Sequence, residues 1–128
     1  MSHLFDFHST VDKIEWASRR LLNYLKMENW REETLFEVRL AVEEALANAI
    51  QHGNQQDPSK KVRFQFSLNR QRDELTITIE DQGRGFQHSS TPSTGGYGLV
   101  LIHRLMDEVR YNQIGNQIHM VKRVKNIR

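Results

Sequence analysis

The sequence predicts an α+β fold, a two-layer sandwich with a mixed, mostly antiparallel sheet covered on one face by about three helices. Three observations predict it. Apolar residues recur at helical spacing as far as about Gln51, and the period then changes to alternation over two consecutive runs. A glycine-rich stretch next separates those runs from a short helix and a last alternating pair. A chain of 128 residues suits one domain, 1–128, built on one core.

The elements follow in order. His3 to His8 alternate weakly and read as a first strand. Ser9 or Thr10 is the expected N-cap of a helix ending near Met27, with Val11, Ile14, Ala17 or Ser18, Leu21, Leu22 and Leu25 on its apolar face. A second helix is expected from Glu32 to Gln51, with Leu35, Val38, Val42, Ala45 and Ala49 as its buried stripe and Gly53 as its stop. After Asp57-Pro58, Val62, Phe64, Phe66 and Leu68 alternate with polar residues, and Leu75, Ile77 and Ile79 repeat the pattern up to Asp81. These two runs predict an antiparallel hairpin. Gln82 to Gly98 holds five of the seven glycines, one proline and five Ser or Thr, a long loop of the kind that carries function or disorder. A third helix, Leu99 to about Met106, and a hairpin of Val109–Gln113 with Gln117–Val124 complete the chain.

Composition excludes several functions. The apolar fraction of 38% and charged fraction of 27% are those of an ordinary globular protein. Without cysteine there is neither a disulfide nor a cysteine-ligated metal centre. No apolar run approaches the roughly 18 residues of a membrane span, and Met1 to Asp6 lacks the features of a secretory signal. A cytoplasmic protein with no membrane partner is the expectation. A net charge of +2 makes no case for a direct nucleic-acid partner. The basic end, with Lys122, Arg123, Lys125 and Arg128, reads as a solvated edge.

Three short segments could carry chemistry. Glu44 and Asn48 stand four apart on the second helix and so share a face. That face lies about a third of a turn from the buried stripe, with Leu40 and Ala47 beside it. A solvated helix flank would look the same by spacing alone. Asp81-Gln82-Gly83-Arg84-Gly85 follows a strand. There an acidic acceptor precedes glycines that let the backbone approach a flat ligand, although a simple turn is equally compatible. Gly96-Tyr97-Gly98-Leu99 opens the third helix, where free N–H groups and the helix dipole favour an anion, or where glycines merely cap a loop. There is no Gly-Lys-Ser/Thr phosphate loop and no His-Glu-x-x-His metal spacing.

In this fixed order the three segments resemble the GHKL, or Bergerat-fold, ATPase superfamily. Glu44–Asn48 resembles its N box, Asp81–Gly85 its G1 box and Gly96–Gly98 its G2 box. Within that superfamily, Val42 to Gly53 and Gly98 to Val109 are most similar to the anti-sigma-factor serine/threonine kinases. The resemblance covers about residues 30 to 125. It implies ATP and Mg²⁺ as cofactors, with Asn48 as the metal ligand, since Mg²⁺ prefers oxygen donors and keeps several waters. It implies Glu44 as the general base and Asp81 as acceptor for the adenine amino group. Gly83 and Gly85 would lie close to the base, Gly96, Gly98 and Leu99 would meet the phosphates, and residues 87–95 would form a lid. The implied partners are an anti-sigma-factor antagonist domain, a sigma factor, or both, with a homodimer also expected. The implied activity is phosphorylation of a serine on the antagonist. A nucleotide-gated binding module with little phosphoryl transfer, or a structural domain with degenerate glycine loops, would use the same residues differently.

Overall fold

The computed structural model describes residues 2–84 and 96–124. Five strands form one sheet: β1 (Ser2–His8), β2 (Lys61–Leu68), β3 (Glu74–Glu80), β4 (Glu108–Tyr111) and β5 (Gln117–Arg123). Their spatial order is β1-β2-β3-β5-β4, and every neighbouring pair is antiparallel. Three helices, α1 (Lys13–Met27), α2 (Glu32–Ala47) and α3 (Gly96–Leu105), complete an α+β sandwich.

Alternation built the sheet as expected. Val62, Phe64, Phe66 and Leu68 of β2 and Leu75, Ile77 and Ile79 of β3 are all buried, because side chains on a strand alternate between its faces. Phe64 stands opposite Ile79, and Phe66 opposite Ile77. The helices bring Leu21 and Leu25 from α1 and Val38, Val42, Ala45 and Leu46 from α2 into the same core. Each of the Leu and Val side chains contributes roughly 1.5–3 kcal/mol when fully removed from water. On β1, Phe5 and Phe7 meet the edge of Trp16 at ring separations of 5.9 and 5.6 Å, joining the edge strand to α1.

Three helix boundaries depart from the sequence reading, and β4 runs from Glu108 to Tyr111 where a strand from Val109 to Gln113 is expected. Neither Ser9 nor Thr10 caps α1, whose N-cap position is Asp12 with no side-chain cap bond. Pairing with the second strand continues one residue past His8, through Ser9 N to Lys60 O at 3.0 Å, so Ser9 is drawn into the interior and the helix starts later. Val11 accordingly stays exposed. The expected second helix to Gln51 is α-helical only to Ala47 and continues as a π-helical turn, Asn48–Gly53. The third helix begins at Gly96, three residues earlier than expected.

Two contacts set α3 against α2. At its start Gly98 lies on the Glu44 carboxylate. At its end Lys122 Nζ donates to Leu105 O (2.5 Å) and to Glu37 Oε1 (2.9 Å). α3 therefore runs antiparallel to α2, and its first turn is aligned with the face that carries Glu44 and Asn48. Among the described residues no helix is long and apolar enough to cross a membrane.

Candidate functional site

The site begins on α2. Glu44 and Asn48 are each half-buried, one turn apart, and Asn48 N–H still bonds back to Ala45 O and Glu44 O. Helical geometry thus persists through Asn48 and keeps both side chains on one face. Directly after it the backbone widens into the π-helical turn, closed by Asn54 N donating to Ala49 O at 2.9 Å. Widened turns of this kind are frequent at functional sites.

That turn delivers Gly53 to Asp81. A Cβ on Gly53 would stand 2.7 Å from Asp81 Oδ1 and nearer still to the rest of the carboxylate; a Cβ on Gly83 would stand 2.9 Å from the same oxygen and would strike Gly53 O. Real Cβ atoms essentially never come so close, so both positions require glycine for space. Gly53 does not lie in the left-handed region. It was read as a helix stop, and it does end the turn, but its missing side chain also makes room for a carboxylate.

Asp81 is held on several sides. Its Oδ1 accepts from Gly83 N at 2.7 Å, its N donates to Asn116 O at 2.9 Å, and its O accepts from Asn116 Nδ2 at 3.3 Å. Asn116 is itself fixed by Asn112, whose Oδ1 caps the β4–β5 turn by accepting from Gly115, Asn116 and Gln117 N–H. Among the described residues Asp81 Oδ2 accepts no hydrogen bond. Burial pushes the Asp81 carboxyl up to about 6, against the lowering effect of the Gly83 N–H; the neighbouring Glu80 raises it further and Lys60 opposes. A desolvated carboxylate with one free oxygen is ready to accept a donor from a ligand.

At the other end a Cβ on Gly98 would come within 2.9 Å of Glu44 Cγ and would overlap the carboxylate. The structure therefore brings Glu44, Asn48 and Gly98 together on one side, and Gly53, Asp81 and Gly83 on the other, joined by the π-helical turn. Gly96 is the first residue of α3, and Leu99 is half-buried in that helix's first turn. Gly85 and the expected lid, residues 87–95, lie outside the described residues. Among those described, no group of three or more His, Cys, Asp or Glu could hold a metal; Glu44 stands one helical turn from Asn48.

Sequence reasoning missed Asn54. It is fully buried, its Nδ2 donates to Lys61 O at 3.0 Å, and its Oδ1 accepts from Gln82 N at 2.7 Å. A buried amide with both ends satisfied has no periodicity of its own. The only available signal was its place directly after His52-Gly53.

Residues 7–122 match the family described as histidine kinase-like ATPase domain, and the chain belongs to it. The serine-protein kinase RsbW of Oceanobacillus iheyensis is 32% identical, with 70% of this chain and 66% of that protein aligned. RsbW of Bacillus subtilis is 33% identical over 67% of this chain and 62% of its own. The anti-sigma F factor of Oceanobacillus iheyensis is 31% identical over 72% and 71%. The chain thus spans just under two thirds of the length of these RsbW relatives. The crystal structure of the RsbU and RsbW domains of a Mycobacterium tuberculosis protein shares the fold, with a TM-score of 0.74 at 15% identity, over all of this chain and 35% of that one.

Proposed function

We propose that this protein is an ATP-dependent serine/threonine protein kinase of the anti-sigma type, acting in the cytoplasm on an anti-sigma-factor antagonist domain and binding a sigma factor. The observation that carries the reading is the close approach of three glycines to two carboxylates: Gly53 and Gly83 to Asp81, and Gly98 to Glu44. The same packing keeps side chains out of the space beside both carboxylates, where the proposed nucleotide site has its two ends. The names of the relatives, serine-protein kinase and anti-sigma F factor, support the same reading.

Each residue then has a task. Asp81 accepts the adenine amino hydrogen through Oδ2, and Gly83 and Gly85 give the base a flat approach. Gly96, Gly98 and Leu99 lie at the positive end of α3, where N–H groups meet phosphate oxygens. Asn48 Oδ1 is a suitable donor for Mg²⁺, which when bound neutralises phosphate charge. Glu44 takes the proton of a serine hydroxyl as that oxygen attacks the γ-phosphorus. The bond from the γ-phosphorus to the β–γ bridging oxygen breaks, and ADP leaves. Gly98 against Glu44 keeps the base beside the phosphate end of the cleft.

The test is phosphate transfer from ATP to a serine on a purified antagonist domain, read by mass spectrometry. Glu44→Ala should lower the rate by about 10²–10⁴-fold, the range for loss of a general base, while nucleotide binding persists. Transfer at the original rate in Glu44→Ala would reject the assigned base. A tight nucleotide-dependent complex with no added phosphate would instead make the chain a nucleotide-gated binding module.

A further inference from the structure

We infer that Asn54 is a positioning residue for nucleotide selection, setting the place of Asp81 and hence the preference for a 6-amino purine. The inference rests on the reading of Asp81 as the base acceptor. It starts from an unusual combination in this chain: a side chain with two polar ends, fully buried, with no contact of its own to the cleft.

Asn54 joins the π-helical turn to two other segments, one seven residues on and one twenty-eight. Its main-chain N–H closes the π-helical turn on Ala49 O, which sets where that turn leaves Asn48 and Gly53. Its Nδ2 donates to Lys61 O at the start of β2. Its Oδ1 accepts from Gln82 N, the amide of the peptide bond that leaves Asp81. Gln82 returns the link, its Oε1 accepting from Lys61 N at 2.7 Å. The two side chains thus form a reciprocal clamp between the entry of β2 and the exit of β3.

The packing at Asp81 is close. A Cβ on Gly53 would overlap the Asp81 carboxylate and one on Gly83 would strike Gly53 O, so the strand exit and the π-helical turn are in direct contact. Asn116 holds the Asp81 main chain from the β5 side. Asn54 is the tie on the opposite side, and the one that also reaches the helix bearing Asn48. Aspartate at position 54 would keep the acceptor for Gln82 N and lose the donor to Lys61 O; alanine would lose both and leave buried main-chain groups unpaired.

The experiment compares the affinities of ATP and inosine triphosphate, each with Mg²⁺, by calorimetry on wild type, Asp81→Asn, Asn54→Ala, Asn54→Asp and Gln82→Ala. Inosine triphosphate carries an oxo group where ATP has the amino donor, so the bond that Asp81 accepts from the 6-amino group is absent. The expected result is a fall of about tenfold or more in the ATP-over-inosine preference of both Asn54 variants, the scale of one lost charged hydrogen bond. Inosine triphosphate affinity should stay within about threefold, and Asn54→Ala combined with Asp81→Asn should lose little beyond Asp81→Asn alone. Gln82 is exposed, so Gln82→Ala keeps the fold and should shift the preference in the same direction by about threefold, as the weaker half of the clamp. Equal weakening of both nucleotides with the preference intact would show a merely structural residue and overturn the inference. A preference unchanged in Asp81→Asn would overturn the base-acceptor reading itself, and the two failures are thereby separable.

Discussion

Replacing Asp81 by Asn should make the protein more stable and less able to bind ATP. Burial raises the Asp81 carboxyl from 3.8 to about 6 in the folded state. A shift of about 2 units would correspond to nearly 3 kcal/mol at about 1.4 kcal/mol per unit, but solvent reaches this half-buried group, and a discounted figure is about 1–2 kcal/mol. The sign follows from proton uptake. The folded state holds a proton between about pH 4 and 6 that the unfolded state has released, so wild-type stability rises as pH falls through 6 and is lowest above it. Asparagine keeps an acceptor for Gly83 N–H and carries no charge. Above pH 6 the Asp81→Asn protein should therefore melt about 3–8 °C higher than wild type, and the gap should close by about pH 4. Its amide cannot match a carboxylate as acceptor, so ATP affinity should fall by about 10- to 100-fold, the range for one charge-assisted bond. For the same reason wild-type affinity should fall as pH drops through 6. The assay is calorimetric melting from pH 4 to 8, paired with ATP titration. A mutant that melts lower at pH 7.5, or that binds ATP as wild type does, would refute a desolvated, ligand-accepting carboxylate.

Two further perturbations probe the phosphate end. Gly98→Ala drives a Cβ into the Glu44 carboxylate, so that carboxylate, the flexible end of its side chain, must turn away. Because a flexible carboxylate can yield, stability should fall by about 1 kcal/mol or less, below the range for overpacking a rigid core, and phosphate transfer should fall more than nucleotide affinity; unchanged turnover would refute the contact. Asn48→Ala should remove most of the Mg²⁺-dependent part of ATP binding. Wild type at a hundred times its dissociation constant gains about 2.7 kcal/mol from ligand, and the added melting shift produced by Mg²⁺ over chelator should be largely absent in the variant.

Much of the molecule was legible from residue order because the controlling physics is local or periodic. The β2 and β3 strands follow from Val62-Phe64-Phe66-Leu68 and Leu75-Ile77-Ile79, since alternation can bury one face only as strand. Glu44 with Asn48, and Gly98 at a helix start, were legible because spacing on a helix fixes which side chains share a face. The start of α1 was not, because Ser9 is claimed by Lys60, a residue some fifty positions away. Local capping preference yields to strand pairing of that kind. The change from α to π geometry after Ala47 was likewise hidden, for it depends on where Asn54 is anchored by β2 and by Gln82.

By itself, then, residue order determined the strands and helices to within a few positions, and named the carboxylates, the amide and the glycines proposed for the site. Only the tertiary structure decided that Gly53 belongs beside Asp81, that Gly98 lies on Glu44, and that Asn54 and Asn116 hold the Asp81–Gln82 main chain between them. The physical reason is that each of these is a close approach between segments distant in sequence. Steric room and the satisfaction of buried polar groups are properties of neighbours in space, which no spacing along the chain encodes.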